Sequence, residues 1–267
     1  MTHTDPARLD PGFPRRSLPD LTGTVALITG ASGTIGGGVV LRFAAAGASV
    51  ALHYGRHPDA AEALAGRILA DGGQATVFGA DLTDESACRA LVAEATGWRG
   101  RLDVLVNNAG IQPVRPLDDL TAQAWREVMD ANLTSAVSCT RAAAEVMEPG
   151  SSVVHIASIE GTQPVVGHAH YSASKAALIM FARSAALEYG PRGIRVNTVS
   201  PGLIQRADLD RAWPEGVARW HAAAPLHRLG SPDDVGNACV FLASPLAAWI
   251  TGHDLVVDGG VSARPTW

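Results

Sequence analysis

The sequence predicts a single α/β domain, a doubly wound sheet of about seven parallel strands with helices on both faces. Three observations carry this. Short runs rich in β-branched residues occur at 24–29, 49–54, 75–80, 103–107, 152–158, 194–200 and 254–257. These runs are continuously apolar rather than alternating, as strands covered on both faces require. Longer amphipathic stretches at 35–46, 58–70, 84–96, 121–147, 171–189 and 232–242 lie between them, and strand-helix alternation with short links implies parallel pairing. Right-handed crossovers then leave few topologies.

Composition bounds the rest. A chain of 267 residues with 47% hydrophobic and 18% charged content is globular and large enough for one α/β core. A net charge of −5 argues against nucleic acid or an acidic membrane as partner. Cys88, Cys139 and Cys239 are odd in number, far apart and without C-x-x-C spacing, so they suit a reducing, cytoplasmic setting as small buried hydrophobes. Residues 1–20 hold four prolines, three arginines and no apolar stretch, which reads as a mobile arm or a strap on another subunit. Residues 21–267 form the domain, with an irregular excursion after Pro201, near 203–225, that would act as a lid. No run approaches the length of a membrane-spanning helix.

In doubly wound folds ligands bind beyond the carboxyl ends of the strands, so the segments after each strand carry the candidate chemistry. The first strand runs into Thr29-Gly30-Ala31-Ser32-Gly33-Thr34-Ile35-Gly36 and a helix. Small residues let the backbone approach a pyrophosphate, and the helix start offers free N–H donors. The second strand ends at Tyr54, where a binder of the NAD type would place a ribose-binding acid; none is there. Arg56 follows, and would either meet a 2′-phosphate or sit in solvent as a loop arginine. NADP(H) is therefore favoured over NAD(H). The third strand ends in Asp81-Leu82 and the fourth in Asn107-Asn108-Ala109-Gly110, which is either a plain turn or a border of the cofactor site.

One feature stands apart from this frame. The chain has a single lysine among 21 cationic side chains, and it ends Tyr171-Ser172-Ala173-Ser174-Lys175. A randomly placed lone lysine would follow one of three tyrosines at that spacing about one time in ninety, so coincidence is a poor account. Spacing i to i+4 puts both side chains on one helix face. A fixed ammonium there would bring a phenol's titration down towards neutrality from its usual value of about 10.

Together these residues resemble the short-chain dehydrogenase/reductase family. The glycine turn, Asp81-Leu82, Asn107-Asn108-Ala109-Gly110, Asn132, Ser158, Tyr171-x-x-x-Lys175 and Pro201-Gly202 stand in that family's order and spacing from about residue 21 to 261. Arg228-x-Gly230-x-Pro232-x-Asp234-Val235 and Thr251-Gly252-x-x-Leu255-x-Val257-Asp258-Gly259-Gly260 add to the match. The nearest look-alikes are β-ketoacyl carrier-protein reductases and glucose-type dehydrogenases of the compact subgroup. Two departures stand out. Thr34 takes the place of the subgroup's middle glycine, giving a Gly30-x-x-Gly33-x-x-Gly36 spacing like that of the longer epimerase-like subgroup. Gln205 stands near where a threonine often holds the nicotinamide amide.

The resemblance implies a Rossmann-type dehydrogenase, a homotetramer joined through the helices at 121–147 and 171–189. It implies a catalytic set of Asn132, Ser158, Tyr171 and Lys175. Tyr171 would be general acid in carbonyl reduction and general base in alcohol oxidation, Ser158 would hold the reacting oxygen, and Lys175 would also hold the ribose. Asn132 would kink its helix and carry a water linking Lys175 to solvent. The cofactor would meet Gly30, Ser32, Gly33, Thr34, Ile35, Gly36, Arg56, Asp81, Leu82, Asn108, Ala109, Gly110, Tyr171, Lys175, Pro201, Gly202 and Ile204. The substrate pocket would be lined by 162–170 and 205–221, including Gln163, His168, His170, Arg206, Trp213 and Trp220. The two tryptophans, seven apart on one helix, would form an apolar lid or simply pack a helix. His168 and His170 read as loop residues rather than metal ligands, because no acid accompanies them in that segment. A non-catalytic dinucleotide sensor, or an epimerase or dehydratase on the same fold, is the competing reading.

Overall fold

The computed structural model describes residues 19–263. Among these, seven strands form one parallel sheet: β1 (Val25–Ile28), β2 (Ser49–Tyr54), β3 (Gln74–Gly79), β4 (Val104–Asn107), β5 (Ser152–Ile156), β6 (Arg195–Pro201) and β7 (Asp254–Val257). Their order across the sheet is β3-β2-β1-β4-β5-β6-β7. The chain steps outward from β1 to β3, then returns to β4 on the other side of β1. That reversal opens a crevice at the carboxyl ends of β1 and β4, where a doubly wound sheet takes its ligand. The arm expected at 1–20 lies outside the described residues up to residue 18.

The central strands are apolar on both faces because both faces are covered. On one side α1 (Thr34–Ala45) and α9 (Pro232–Ala243) bury Val39, Phe43, Val235 and Leu242 against Ile28, Val106 and Val199. On the other, α3 (Glu85–Arg99), α5 (Ser135–Val146) and α6 (Ala169–Tyr189) bury Leu91, Cys139 and Ala182 against Leu105, Val153 and Val196. Burial of such residues is the main stabilising term, about 1.5–3 kcal/mol for each large side chain. α2 (Pro58–Ala70) starts on Pro58, whose missing N–H costs a helix start nothing. Asp84 caps α3 by accepting from the Ser86 amide at 2.8 Å. Ser231 and Asp234 form a reciprocal capping box for α9, and Arg228 clasps Asp234 at 2.6 Å and 2.9 Å.

Most predicted bounds fall within two residues of the observed ones. Two differences bear on the site. The stretch expected at 121–147 is α4 (Ala122–Met129), a π-turn over Asp130–Thr134 and then α5, so the local distortion expected at Asn132 is present as an extra residue in the turn. The excursion after Pro201 is not irregular: it folds as α7 (Leu209–Ala212) and α8 (Pro214–Ala223). Pro214 opens a second helix that the polar, charged composition of the segment obscured. No described helix is long and apolar enough to cross a membrane.

Candidate active site

The glycine turn after β1 is held from several sides. Gly30 adopts φ +65°, and a Cβ there would lie 2.9 Å from the Ala109 Cα. The Asn108 side-chain amide donates to the carbonyls of Thr29 at 2.9 Å and Gly30 at 3.1 Å. The Thr29 hydroxyl oxygen accepts from the amides of Asn108 and Ala109 at 2.9 Å and 3.0 Å. Gly33 donates back to the Gly30 carbonyl at 3.1 Å, and a Cβ on Gly36 would lie only 2.2 Å from that oxygen. Gly33 is the N-cap of α1 and carries no side-chain cap, so the first-turn amides of Thr34, Ile35 and Gly36 face outward. Thr34, in place of a glycine, is exposed and opens the helix. The cradle fits a pyrophosphate in shape and in donor chemistry.

The other sequence-predicted cofactor residues outside α6 lie at or just beyond the carboxyl ends of β1, β2, β3 and β6. Ser32 lies in the turn and is half-buried. Arg56 is exposed in the bend after β2 and makes no ion pair among the described residues. Asp81 accepts from the amide and hydroxyl of Thr83 at 3.0 Å and 2.7 Å, which holds its carboxyl below the usual range. Leu82 is buried in the core beneath α3, so only its backbone can face a ligand. Pro201 ends β6, Gly202 donates to the Val257 carbonyl at 3.0 Å, and Ile204 pairs with Gly230. Gln205 turns its side-chain amide towards Asp210 at 3.4 Å.

Beyond β5 the chain turns sharply at Ser158, whose hydroxyl accepts from the Glu160 amide at 3.1 Å. The Ser158 side chain lies close enough to Tyr171 to lower the phenol's titration. Tyr171 and Lys175 share a face of α6, with the ammonium 5.6 Å from the phenol ring centre. Lys175 is 4% exposed and donates to the Ile156 carbonyl at 2.7 Å. The Asn132 side-chain oxygen accepts from the Ile111 amide at 2.7 Å, and its amide donates to the Ile111 carbonyl at 2.9 Å and the Ser174 hydroxyl at 3.1 Å. Ser174 in turn donates to the Tyr171 carbonyl at 2.7 Å. A Cβ on Gly110 would lie 2.9 Å from the Asn132 oxygen and 3.8 Å from Lys175 Nζ, so the fourth strand's exit must be glycine here. The structure thus brings all four predicted catalytic residues together.

Their electrostatics correct one expectation. Lys175 does not pull Tyr171 down in the protein by itself. Burial pushes the phenol up to about 12, the Glu160 carboxylate adds to this, and only the Ser158 hydrogen bond opposes it. Burial also holds the Lys175 ammonium down to about 8. The phenolate is too poorly solvated here for one ammonium directed at Ile156 to offset the loss.

The substrate side also differs from expectation. Trp213 lies in the break between α7 and α8 and folds over Gly216, while Trp220 on α8 packs against Gly202. They do not form one lid face. His168 does have an acidic partner: its Nδ1 lies 2.9 Å from Glu160, whose other oxygen accepts from Gln112 at 2.9 Å. With the edge of His168 against Tyr171, this makes a polar wall beside the phenol. The only acid between Ser158 and Tyr171 is Glu160, and that was the signal available for it. His170 is buried, with neither ring nitrogen hydrogen-bonded. Gln163 and Arg206 are exposed. Among the described residues no cluster of His, Cys, Asp or Glu is placed to hold a metal.

A parallel sheet with a glycine cradle at its switch point and a Ser–Tyr–Lys–Asn site beside it defines an NAD(P)-dependent oxidoreductase acting on C=O or CH–OH. Comparison with known proteins agrees. Residues 30–262 match the family model described as enoyl-(acyl carrier protein) reductase. The chain is 37% identical over 244 residues to a 3-oxoacyl-[acyl-carrier-protein] reductase of Synechocystis sp., covering 90% of this chain and 98% of that one. It is 35% identical over 248 residues to D-threitol dehydrogenase of Mycolicibacterium smegmatis, covering 91% and 95%. A short-chain dehydrogenase from Burkholderia cenocepacia, solved in complex with NADP, superposes with a TM-score of 0.86 at 36% identity over 91% of this chain and 99% of that one. The chain belongs to the short-chain dehydrogenase/reductase family.

Proposed function

We propose that the protein is an NADP(H)-preferring carbonyl reductase or secondary-alcohol dehydrogenase in which Tyr171 is the general acid and base. The observation that carries this reading is the half-buried Tyr171 phenol, beside Ser158 and on the same helix face as the Lys175 ammonium 5.6 Å from its ring centre. The bound nicotinamide would supply or accept the hydride. Tyr171 would protonate the resulting alkoxide, or take the proton from an alcohol in the reverse direction. Ser158 would orient the reacting oxygen. Lys175, held from behind by Ile156, would hold ribose hydroxyls and supply positive charge beneath the site. Asn132 bridges Ile111 to Ser174 and would keep the Lys175 pocket open to a water. Exposed Met180 and Leu187 on α6 fit helix-to-helix contacts between copies, in line with a homotetramer. Three buried, unpaired cysteines support a reducing compartment and hence the cytoplasm.

A panel of ketones with NADPH and NADH tests this reading. Dinucleotide that binds but is never oxidised with any ketone would point to a sensor, and substrate turnover without net change in cofactor absorbance to an epimerase. The NADP-bound Burkholderia relative supports the cofactor preference. Arg56→Ala should raise KM for NADPH about 10- to 100-fold, the worth of one charge-assisted contact to phosphate, and leave KM for NADH unchanged. A wild-type enzyme that prefers NADH would sink that assignment.

The two titrations set a pH dependence. Reduction needs Tyr171 protonated, which holds up to about 12, and Lys175 charged, which holds up to about 8. With cofactor saturating, kcat for reduction should be flat at neutral pH and decline as Lys175 loses its proton. A rate that climbs as pH passes about 8 would contradict this ordering.

A further inference from the structure

We propose that His53 is a positioning residue of the dinucleotide site, its neutral imidazole joining the Gly30 amide to the Ala80 carbonyl and so fixing the glycine turn. The inference rests on the cofactor reading above. His53 is the penultimate residue of β2 and is 2% exposed, in a strand otherwise filled by apolar side chains at its buried positions. The Gly30 amide donates to its Nδ1 at 3.1 Å, and its Nε2 lies 3.0 Å from the Ala80 carbonyl oxygen. An amide N–H can only donate and a carbonyl can only accept. The ring is therefore the Nε2–H tautomer, with Nδ1 bare. Burial holds its pKa below the ordinary value and keeps it in that neutral form. A second proton would set an N–H against the Gly30 N–H.

The consequence for the cradle follows from what Gly30 touches. Its amide is held by His53 on the β2 side, and its carbonyl by Asn108 on the β4 side. That carbonyl also accepts from Gly33 and lies against Gly36, so the first turn of α1 follows wherever the Gly30 peptide goes. The backbone adds a further tie, as Ala31 donates to the His53 carbonyl at 2.8 Å. At its other end the imidazole holds Ala80, the residue before Asp81. One side chain thus sets the spacing between the pyrophosphate turn and the segment after β3. A buried aliphatic residue would fill the same volume but leave the Gly30 N–H and the Ala80 C=O without partners.

The test is dinucleotide affinity by calorimetry on the full chain with NADP+, for wild type, His53→Phe and His53→Gln. Phenylalanine keeps the ring and loses both hydrogen bonds, whereas glutamine can accept and donate. His53→Phe should weaken NADP+ binding by roughly tenfold or more, His53→Gln by no more than about threefold, with kcat and substrate KM at saturating cofactor near wild type in both. His53→Phe binding like wild type, or equal losses in the two variants, would overturn the proposal. If His53→Phe does not fold, 15N spectra of the wild-type imidazole decide: a bare Nδ1 and protonated Nε2 support it, and any other state overturns it. Wild type with no affinity for NADP+ or NAD+ would instead sink the cofactor reading itself.

Discussion

Replacing Tyr171 with phenylalanine is expected to lower kcat for carbonyl reduction by about a thousandfold while leaving dinucleotide affinity nearly unchanged. The substitution removes one oxygen and keeps the ring. The ring's edge contact with His168, at 6.2 Å between centres, does not need the hydroxyl. The Tyr171 carbonyl still accepts from Ser174, and through it the link to Asn132 stays in place. Ser158 alone loses a polar neighbour, whose place a water can take. What disappears is the proton donor at the reacting oxygen. Ser158 cannot replace it, because an aliphatic hydroxyl is a far weaker acid than a phenol. Steady-state kinetics paired with fluorescence titration of NADPH would check both halves. Retention of more than a few per cent of wild-type activity would refute the role of Tyr171.

Much of the architecture was legible because it depends on patterns local to the chain. Continuous apolar runs such as 152–158 and 194–200 mark strands covered on both faces, and their alternation with helices dictates the parallel sheet. The proximity of the four candidate catalytic residues was legible for a different reason: Tyr171 and Lys175 are joined by helix spacing, and Ser158 and Asn132 by the family resemblance. The excursion after Pro201 was harder. Its helices are short, rich in charge and broken by Trp213-Pro214, so no periodicity announces them. Contacts across the sheet were out of reach altogether. His53 meets Gly30 and Ala80 only because β1, β2 and β3 lie side by side, and Glu160 meets Gln112 only because the loops after β4 and β5 converge. The direction of the Tyr171 shift in the protein by itself was hidden on the same ground. Helix spacing places a cation nearby, but it does not report how dry the phenol is or that the cation is directed at Ile156.

Lys175→Met is expected to abolish turnover and at the same time make the fold more stable at neutral pH. The two effects have one origin. The ammonium is buried and donates to a single protein acceptor, the Ile156 carbonyl, so it is held at about 8 against a value of 10.5 in the unfolded chain. A gap of that size corresponds to about 3 kcal/mol of destabilisation, of which an unpaired Ile156 carbonyl in the variant gives back about 1–3 kcal/mol. The net gain is then small, on the order of 1 kcal/mol, and its pH dependence is the sharper signature. Below about 8 the lysine is charged in both states and the penalty is complete. Between the two values the unfolded chain binds the extra proton, so wild-type stability rises with pH. Above the unfolded value the lysine is neutral in both states and the penalty is gone. The variant lacks this rise, so its advantage should shrink across that window and not before it. Denaturant unfolding at a series of pH values measures this directly. Catalysis should move the opposite way, by about a thousandfold, because the charge beneath Tyr171 and the proposed ribose contact are both lost. Lys175→Arg should not rescue either property: a guanidinium brings five donors to one carbonyl and meets Gly110 and Asn132 on the way. A methionine variant that keeps its activity, or whose stability relative to wild type is independent of pH, would remove Lys175 from the role its burial and spacing give it.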